Sequence, residues 1–190
     1  MNVKIGVSAR HMHISKEDLK FFFGENFELT KERPLSQEGE YASTTKLKVI
    51  GPKGELTVRI LGPVRDYTQI EISKTDAFKI GVTPPVRNSG DLEGSHPIII
   101  TDGNKELYKK EGLIIATRHI HINNKDIDKY NLKDGDIVKI KVDGEKGGIM
   151  DNVHVKSGDK YSFELHIDTD DANSHLINNG DMGEIINEWV

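Results

Sequence analysis

Two short segments of the sequence each carry a pair of histidines separated by one residue. His11 and His13 lie in SARHMHIS, near the start of the chain. His119 and His121 lie in ATRHIHIN, more than half the chain further on. Residues two apart in a β-strand point to the same face, so each pair presents two imidazoles side by side and can chelate one metal ion. Two surface histidines on an amphipathic strand are the alternative for a single copy, but two matching copies favour metal binding.

Two further segments contain candidate ligands. His166 lies in FELHID, where the alternation of apolar residues places it on the opposite face of a strand. It could complete a site of three nitrogen ligands, although periodicity alone favours an ordinary polar position on a half-exposed strand. The loop PVRNSGDLEGS carries Arg87, which is suited to hold an anion, and Glu93, which is suited to hold a metal. A plain solvated turn explains this loop equally well.

The composition excludes several classes of protein. There are no cysteines, which rules out disulfides, a thiol nucleophile and thiolate metal sites, so zinc would need nitrogen and oxygen ligands. A net charge of -5 and mixed charges along the chain argue against a nucleic-acid surface or an anionic membrane partner. No apolar run approaches the roughly 18 residues of a membrane span. The chain is therefore expected to be cytoplasmic.

The elements that position these residues are predicted to be short strands. After each histidine pair comes a capping residue with an acid three positions on, Ser15 with Asp18 and Asn123 with Asp126, so each motif predicts a strand followed by a short helix. Ser73–Ile80 repeats this capping signal. Elsewhere, brief strands such as KLKVIG, ELTVRILG and YSFELHI are separated by glycine turns. Many brief strands with few helices favour small barrels.

Six segments in one order identify a family. The sequence resembles the phosphate propanoyltransferases, the PduL-type phosphotransacylases, in the segments VSARHMHIS, RPLSQEGEYA, GPVRDYTQIEIS, VRNSGDLEGS, ATRHIHI and ELHIDTDDAN. The resemblance extends from Val7 to about Asn173. It implies an acyltransferase that interconverts an acyl-CoA, such as propanoyl-CoA or acetyl-CoA, and phosphate with an acyl phosphate and coenzyme A.

The resemblance also implies a fold that is mainly β with short α-helices, in which two small β-barrels pack together and the chain is interleaved between them. Residues 1–9 with 117–190 are expected to form the first β-barrel. Residues 10–116 are expected to form the second, with short capping helices, and the active site is expected between the two barrels.

The family's functional residues fall on particular positions of this sequence. Two zinc ions per chain are implied, held by two sets of ligands: His11, His13 and Glu93; His119, His121 and His166. The phosphate-contacting, catalytic arginine of the family falls on Arg87. Asn173 and Arg33 fall near positions that resemble contacts with coenzyme A.

Other functions and partners follow from these assignments. Histidine-bound metal with an open position also describes a zinc-dependent hydrolase, and two closed sites would describe a non-catalytic metal-binding module. The expected partners are an acyl-CoA, inorganic phosphate and an acyl phosphate, with a second copy of the chain in a homodimer and an acyl kinase in metabolism. Family members in bacterial microcompartments carry an N-terminal extension, whereas the first predicted strand begins almost at Met1, so the cytoplasm is the expected location and a microcompartment the alternative.

Overall fold

The structure is a computed structural model that describes residues 1–186, and this part of the chain is mainly β. Its helices are α1 (Lys16–Phe23), α2 (Lys74–Ile80), α3 (Thr169–His175) and a 3-10 helix (Asp128–Tyr130). Its strands are β1 (Asn2–Ser8), β2 (His11–Ser15), β3 (Lys31–Pro34), β4 (Tyr41–Gly51), β5 (Gly54–Arg65), β6 (Gln69–Glu71), β7 (Val86–Arg87), β8 (His96–Thr101), β9 (Glu106–Ala116), β10 (His119–Asn123), β11 (Ile137–Val142), β12 (Gly148–Gly158), β13 (Glu164–Asp168) and β14 (Met182–Ile186). No helix in this described part is long and apolar enough to cross a membrane.

The first barrel closes six strands in the order β1-β13-β10-β12-β11-β14, and β14 pairs back onto β1. Strand β10 lies parallel to β12 and antiparallel to β13. Ile120 and Ile122 of β10 are fully buried in the barrel core. Because neighbouring residues of a strand point to opposite faces, burial of these isoleucines directs His119 and His121 to the other face of β10.

The second barrel also closes six strands, in the order β4-β5-β2-β6-β9-β8, because β8 pairs with both β9 and β4. Strand β3 extends it beside β4, and β7 extends it beside β9. Strand β2 lies parallel to β5 and antiparallel to β6. Met12 and Ile14 of β2 are fully buried in this core, so β2 has the same alternation as β10. The predicted fold class, mainly β with two small barrels and short helices, is confirmed.

The chain is interleaved between the two compact units. Within the described residues, one unit contains 1–8 and 117–186, and the other contains 9–35 and 39–116. The tripeptide Ser36–Glu38 belongs to the first unit although the chain on both sides of it belongs to the second. No motif in the sequence predicted this second crossing.

The short helices follow the capping signals in two of three cases. The Ser15 hydroxyl accepts from the amide of Asp18, and the Ser73 hydroxyl accepts from the amide of Asp76, as the sequence predicts. The prediction of a short helix directly after Asn123 is wrong. Asn123 Oδ1 accepts from the amide of Lys125, an Asx turn that satisfies a donor two residues on, and the chain continues through turns into the 3-10 helix.

Candidate metal centres

Strands β2 and β6 bring two imidazoles and a carboxylate together in the second barrel. In the antiparallel register His11 lies opposite Glu71, and His13 lies two residues further along β2. The candidate ligand atoms of His11, His13 and Glu71 all lie within 4.8 Å of one another. Nε2 of His11 is 3.5 Å from Oε2 of Glu71. Two ligands of a tetrahedral zinc ion lie roughly 3.4 Å apart, so the separation of His11 and Glu71 suits two ligands of one ion.

The orientation of the His11 ring is set by the backbone. Nδ1 of His11 lies 2.9 Å from the carbonyl oxygen of Ala9. A carbonyl only accepts, so Nδ1 carries the proton, and Nε2 faces Glu71. A hydrogen bond of this kind to the second ring nitrogen is typical of metal-binding histidines.

The protonation of His13 also suits a ligand. Burial, followed by the charges of His11 and Arg65, holds the pKa of His13 well below its ordinary value. The imidazole is therefore neutral at physiological pH, and the neutral imidazole is the form that binds metal.

Three histidines form a second cluster in the first barrel. His119 and His121 lie on β10, and His166 lies on β13 opposite His119. The ring centroids are 4.6 Å apart for His119 and His121, 4.8 Å for His121 and His166, and 5.1 Å for His119 and His166. Nδ1 of His119 is 2.8 Å from the carbonyl oxygen of Thr117, which matches the bond made by His11. The three rings lie close together, and three imidazoles are a donor set that zinc accepts.

Burial dominates the electrostatics of the second cluster. It lowers the pKa of His119 to about 3, with smaller contributions in the same direction from Lys156 and His166. His119 is therefore neutral at physiological pH. Lys156 lies on β12, and its positive charge makes the surroundings of His119 favourable for an anion.

The two clusters have the same construction. His11 pairs with Glu71 in one barrel and His119 pairs with His166 in the other, each across an antiparallel strand that leads into a short helix. By this equivalence Glu71 takes the position of His166. Glu93 is exposed in the turn before β8 and is not part of the His11 cluster. The structure therefore brings Glu71, which the sequence analysis missed, to the first histidine pair.

A sequence signal for Glu71 was present. Glu71 is followed by an isoleucine and then by Ser73, the N-cap of α2, and His166 is followed by an isoleucine and then by Asp168, the N-cap of α3. Each cap is followed three positions on by an aspartate. Comparing the segments EISKTD and HIDTDD would have paired Glu71 with His166.

Two arginines differ in their relation to the His11 cluster. Arg87 lies on β7, is partly exposed, and has Nε 3.8 Å from Asp91. Arg65 lies at the end of β5, opposite Ser15 of β2, and its positive charge acts on His13. Arg65 donates to Oε1 of Glu40 and to the hydroxyl of Tyr67, both at 2.9 Å, so its guanidinium is held in place.

Buried polar side chains surround His166. Nε2 of Gln37 is 3.2 Å from Nε2 of His166, and Oε1 of Gln37 accepts from the amide of Ser162 at 2.9 Å. The buried carboxylate of Glu164 accepts a hydrogen bond from the Ser36 hydroxyl. These residues were missed as well, although Ser36 and Gln37 belong to the segment RPLSQEGEYA.

The two predicted coenzyme A contacts lie on the surface. Arg33 is exposed on the edge strand β3 of the second barrel. Asn173 is exposed in α3 of the first barrel. Both side chains are accessible to a ligand, and their role stays a prediction.

Comparison with known proteins gives one consistent result. The family model for phosphate propanoyltransferase matches residues 4–178. A phosphate propanoyltransferase of Thermotoga maritima is 50% identical over 184 residues, which cover 96% of this chain and 88% of the relative. Proteins of the same name from Priestia megaterium and Alkaliphilus metalliredigens are 46% identical over 182 residues and 41% identical over 187 residues. These matches cover 95% and 98% of this chain, and 84% and 88% of the relatives. The chain therefore belongs to the phosphate propanoyltransferase family, whose members are acyltransferases.

Proposed function

We propose that this protein is a zinc-dependent phosphotransacylase that converts an acyl-CoA and inorganic phosphate into an acyl phosphate and coenzyme A, and catalyses the reverse reaction. Propanoyl-CoA and acetyl-CoA are the proposed acyl donors. The observation that carries the proposal is the ligand group of His11, His13 and Glu71, together with three neighbouring imidazoles on the equivalent strands of the other barrel, in a member of this family. In each cluster burial holds the pKa of one histidine below its ordinary value, and a backbone carbonyl accepts from Nδ1 of the first histidine.

The proposed ligands of one zinc ion are His11, His13 and Glu71, with Glu93 as the alternative carboxylate. Those of the other are His119, His121 and His166. Three protein ligands leave a coordination position open, as in catalytic zinc sites, whereas structural sites have four protein ligands. The open position argues against the non-catalytic binding module. When bound, zinc supplies Lewis-acid stabilisation of negative charge on the thioester oxygen, the phosphate or the departing sulfur.

The protein residues must bring two anionic reactants together. A phosphate oxygen forms a bond to the acyl carbon, the carbon–sulfur bond breaks, and the thiolate of coenzyme A leaves with the electron pair. Phosphate is a weak nucleophile toward a thioester, so its positioning is a large part of the catalysis. No acyl-enzyme is needed for this direct attack.

A guanidinium matches phosphate oxygens with two parallel hydrogen bonds. Arg65 is the arginine that the geometry supports for this role, because its charge acts on His13 and its side chain is held by Glu40 and Tyr67. Arg87, the arginine selected from the sequence, stays the second candidate. Arg33 and Asn173 are proposed to contact coenzyme A.

The requirement for phosphate separates this function from a zinc hydrolase. The test follows thiol release from propanoyl-CoA and acetyl-CoA with phosphate present or rigorously omitted, and measures acyl phosphate as its hydroxamate. A phosphotransacylase releases thiol only with phosphate and yields acyl phosphate. Phosphate-independent release that yields free carboxylate would identify a hydrolase instead. An acyl kinase is the class of enzyme that would consume the acyl phosphate.

A further inference from the structure

The arginine that opens each Arg-His-x-His motif has no part in the proposed chemistry. Nη1 of Arg10 donates to both carboxylate oxygens of Asp76, at 2.7 and 3.0 Å. Nε and Nη2 of Arg118 donate to Oδ1 of Asp171, at 2.9 and 2.6 Å. The same ion pair therefore occurs once in each barrel.

The two aspartates occupy the same position in the fold. Asp76 is the third residue of α2, whose N-cap is Ser73, and Asp171 is the third residue of α3, whose N-cap is Asp168. Each of these helices directly follows the strand that carries the third ligand of the cluster. Each arginine thus ties the start of the histidine strand to the element that follows the third ligand.

Each guanidinium also donates to the strand that lies parallel to its histidine strand. Nε of Arg10 donates to the carbonyl of Thr57 on β5 at 3.3 Å. Nη1 of Arg118 donates to the carbonyl of Asp151 on β12 at 2.9 Å. Strand β5 lies parallel to β2, and β12 lies parallel to β10. Each arginine consequently bonds both to the strand parallel to its histidine strand and to the helix that follows the antiparallel one.

The backbone links each arginine to the orientation of an imidazole. Ala9 immediately precedes Arg10, and its carbonyl accepts from Nδ1 of His11. Thr117 immediately precedes Arg118, and its carbonyl accepts from Nδ1 of His119. A guanidinium that fixes the backbone at this point also fixes the carbonyl that orients the ring. An ion pair of a partly exposed arginine adds little to global stability by itself, so its repetition at this position indicates another role.

We propose that Arg10 and Arg118 are positioning residues that hold the first histidine of each cluster at the distance and ring orientation that metal binding requires. The inference rests on the proposed function, because it assumes that both clusters bind metal. It assigns to each barrel its own clamp, made of one arginine and one aspartate. Each clamp should act on the metal of its own barrel alone.

The test measures the affinity of each cluster for zinc by competition with a chromophoric chelator, in the protein and in four variants: Arg10→Ala, Asp76→Asn, Arg118→Ala and Asp171→Asn. Loss of a partner that orients a metal ligand typically weakens binding 10–100-fold. We expect a loss of that size at the His119 cluster in the Arg118 and Asp171 variants, with the other cluster unchanged, and the reverse in the Arg10 and Asp76 variants. Cobalt(II) absorption should change at the affected site only.

Matched controls remove a surface ion pair from the same barrel. Lys141→Ala removes the pair with Asp143 in the first barrel, and Lys48→Ala removes the pair with Glu55 in the second. Both controls should bind zinc as the unmutated protein does. The Asp→Asn variants keep the side-chain size, so they report on the clamp even where an arginine variant unfolds. The double variant of Arg118 and Asp171 should lose no more affinity than either single variant, because the two residues act as one unit.

The outcomes separate the clamp from the proposed function. An unmutated protein that takes up no metal would refute the proposed function, and the clamp with it. An unmutated protein that binds two zinc ions, while all four variants bind them within twofold of its affinity, would refute the clamp alone. So would an equal loss at both clusters, or loss of the folded barrel in all four variants, since either result indicates a merely structural role.

Discussion

Replacing Glu71 by glutamine should remove one metal ion per chain and leave the barrels folded. The substitution keeps the size of the side chain but exchanges an anionic oxygen ligand for a neutral amide. In the structure Oε2 of Glu71 lies 3.5 Å from Nε2 of His11, a separation that matches two ligands of one zinc ion. Glu71 also takes the register position that His166 has in the other barrel.

The expected loss of affinity is large. Even a residue that only orients a metal ligand typically contributes 10–100-fold to affinity, so a direct ligand should contribute at least about 100-fold, or about 2.8 kcal/mol. The assay is elemental analysis after dialysis against a weak chelator, followed by chelator competition. The unmutated protein should keep close to two ions per chain, and Glu71→Gln should keep close to one.

Glu93→Gln is the matched control, since Glu93 is the carboxylate that the family resemblance selected. It is exposed and lies outside the His11 cluster, so its variant should keep both ions. The opposite pattern, with one ion lost from Glu93→Gln and none from Glu71→Gln, would refute the equivalence between the two barrels.

Three further predictions concern acid, phosphate and the histidines. Burial lowers the pKa of His119 to about 3, so between about pH 6.5 and pH 3 the unfolded chain binds a proton that the folded metal-free protein does not. The free energy of unfolding of the metal-free protein should therefore fall as the pH falls below about 6.5, by about 1.4 kcal/mol per pH unit for each such histidine. Urea unfolding from pH 7 to pH 5 would measure this slope, and a flat profile would contradict it. Arg65→Lys should raise the KM for phosphate more than Arg87→Lys does, because lysine lacks the planar fork, and equal phosphate kinetics in both variants would exclude Arg65. His13→Ala and His121→Ala should each abolish acyl transfer while circular dichroism stays near that of the parent, because the barrel cores supply most of the buried surface; unfolding of both variants would favour structural zinc.

The sequence was sufficient for features that depend on neighbouring residues. Alternation in β2 and β10 predicted that the paired histidines share a face, and burial of the residue between them, Met12 in β2 and Ile120 in β10, accounts for it. Side-chain caps predicted α1 and α2. The error after Asn123 arose because the same side chain can cap a helix or close an Asx turn, and the local sequence favours both.

Features that depend on pairing across the barrels were not predictable in the same way. Glu71 lies in a strand of three residues, and only its register with β2 places it opposite His11. Arg65 and Arg87 both lie in segments whose sequence is typical of loops. The pairing of β5 with β2 places the charge of Arg65 where it acts on His13. Ser36 and Gln37 contact β13 only because the chain crosses between the units for three residues.

The repeated unit is larger than the histidine pair that first revealed it. In each barrel it comprises an arginine before two histidines, a neighbouring antiparallel strand with the third ligand, and a capped helix whose third residue binds that arginine. Only the third ligand differs in type, a carboxylate in one barrel and an imidazole in the other. Counted over the three candidate ligands alone, the set with Glu71 therefore carries one negative charge more than the set of three imidazoles. Because an additional ligand charge lowers the net charge of a bound divalent ion by one, the two proposed metal sites would differ in net charge and therefore in their chemistry.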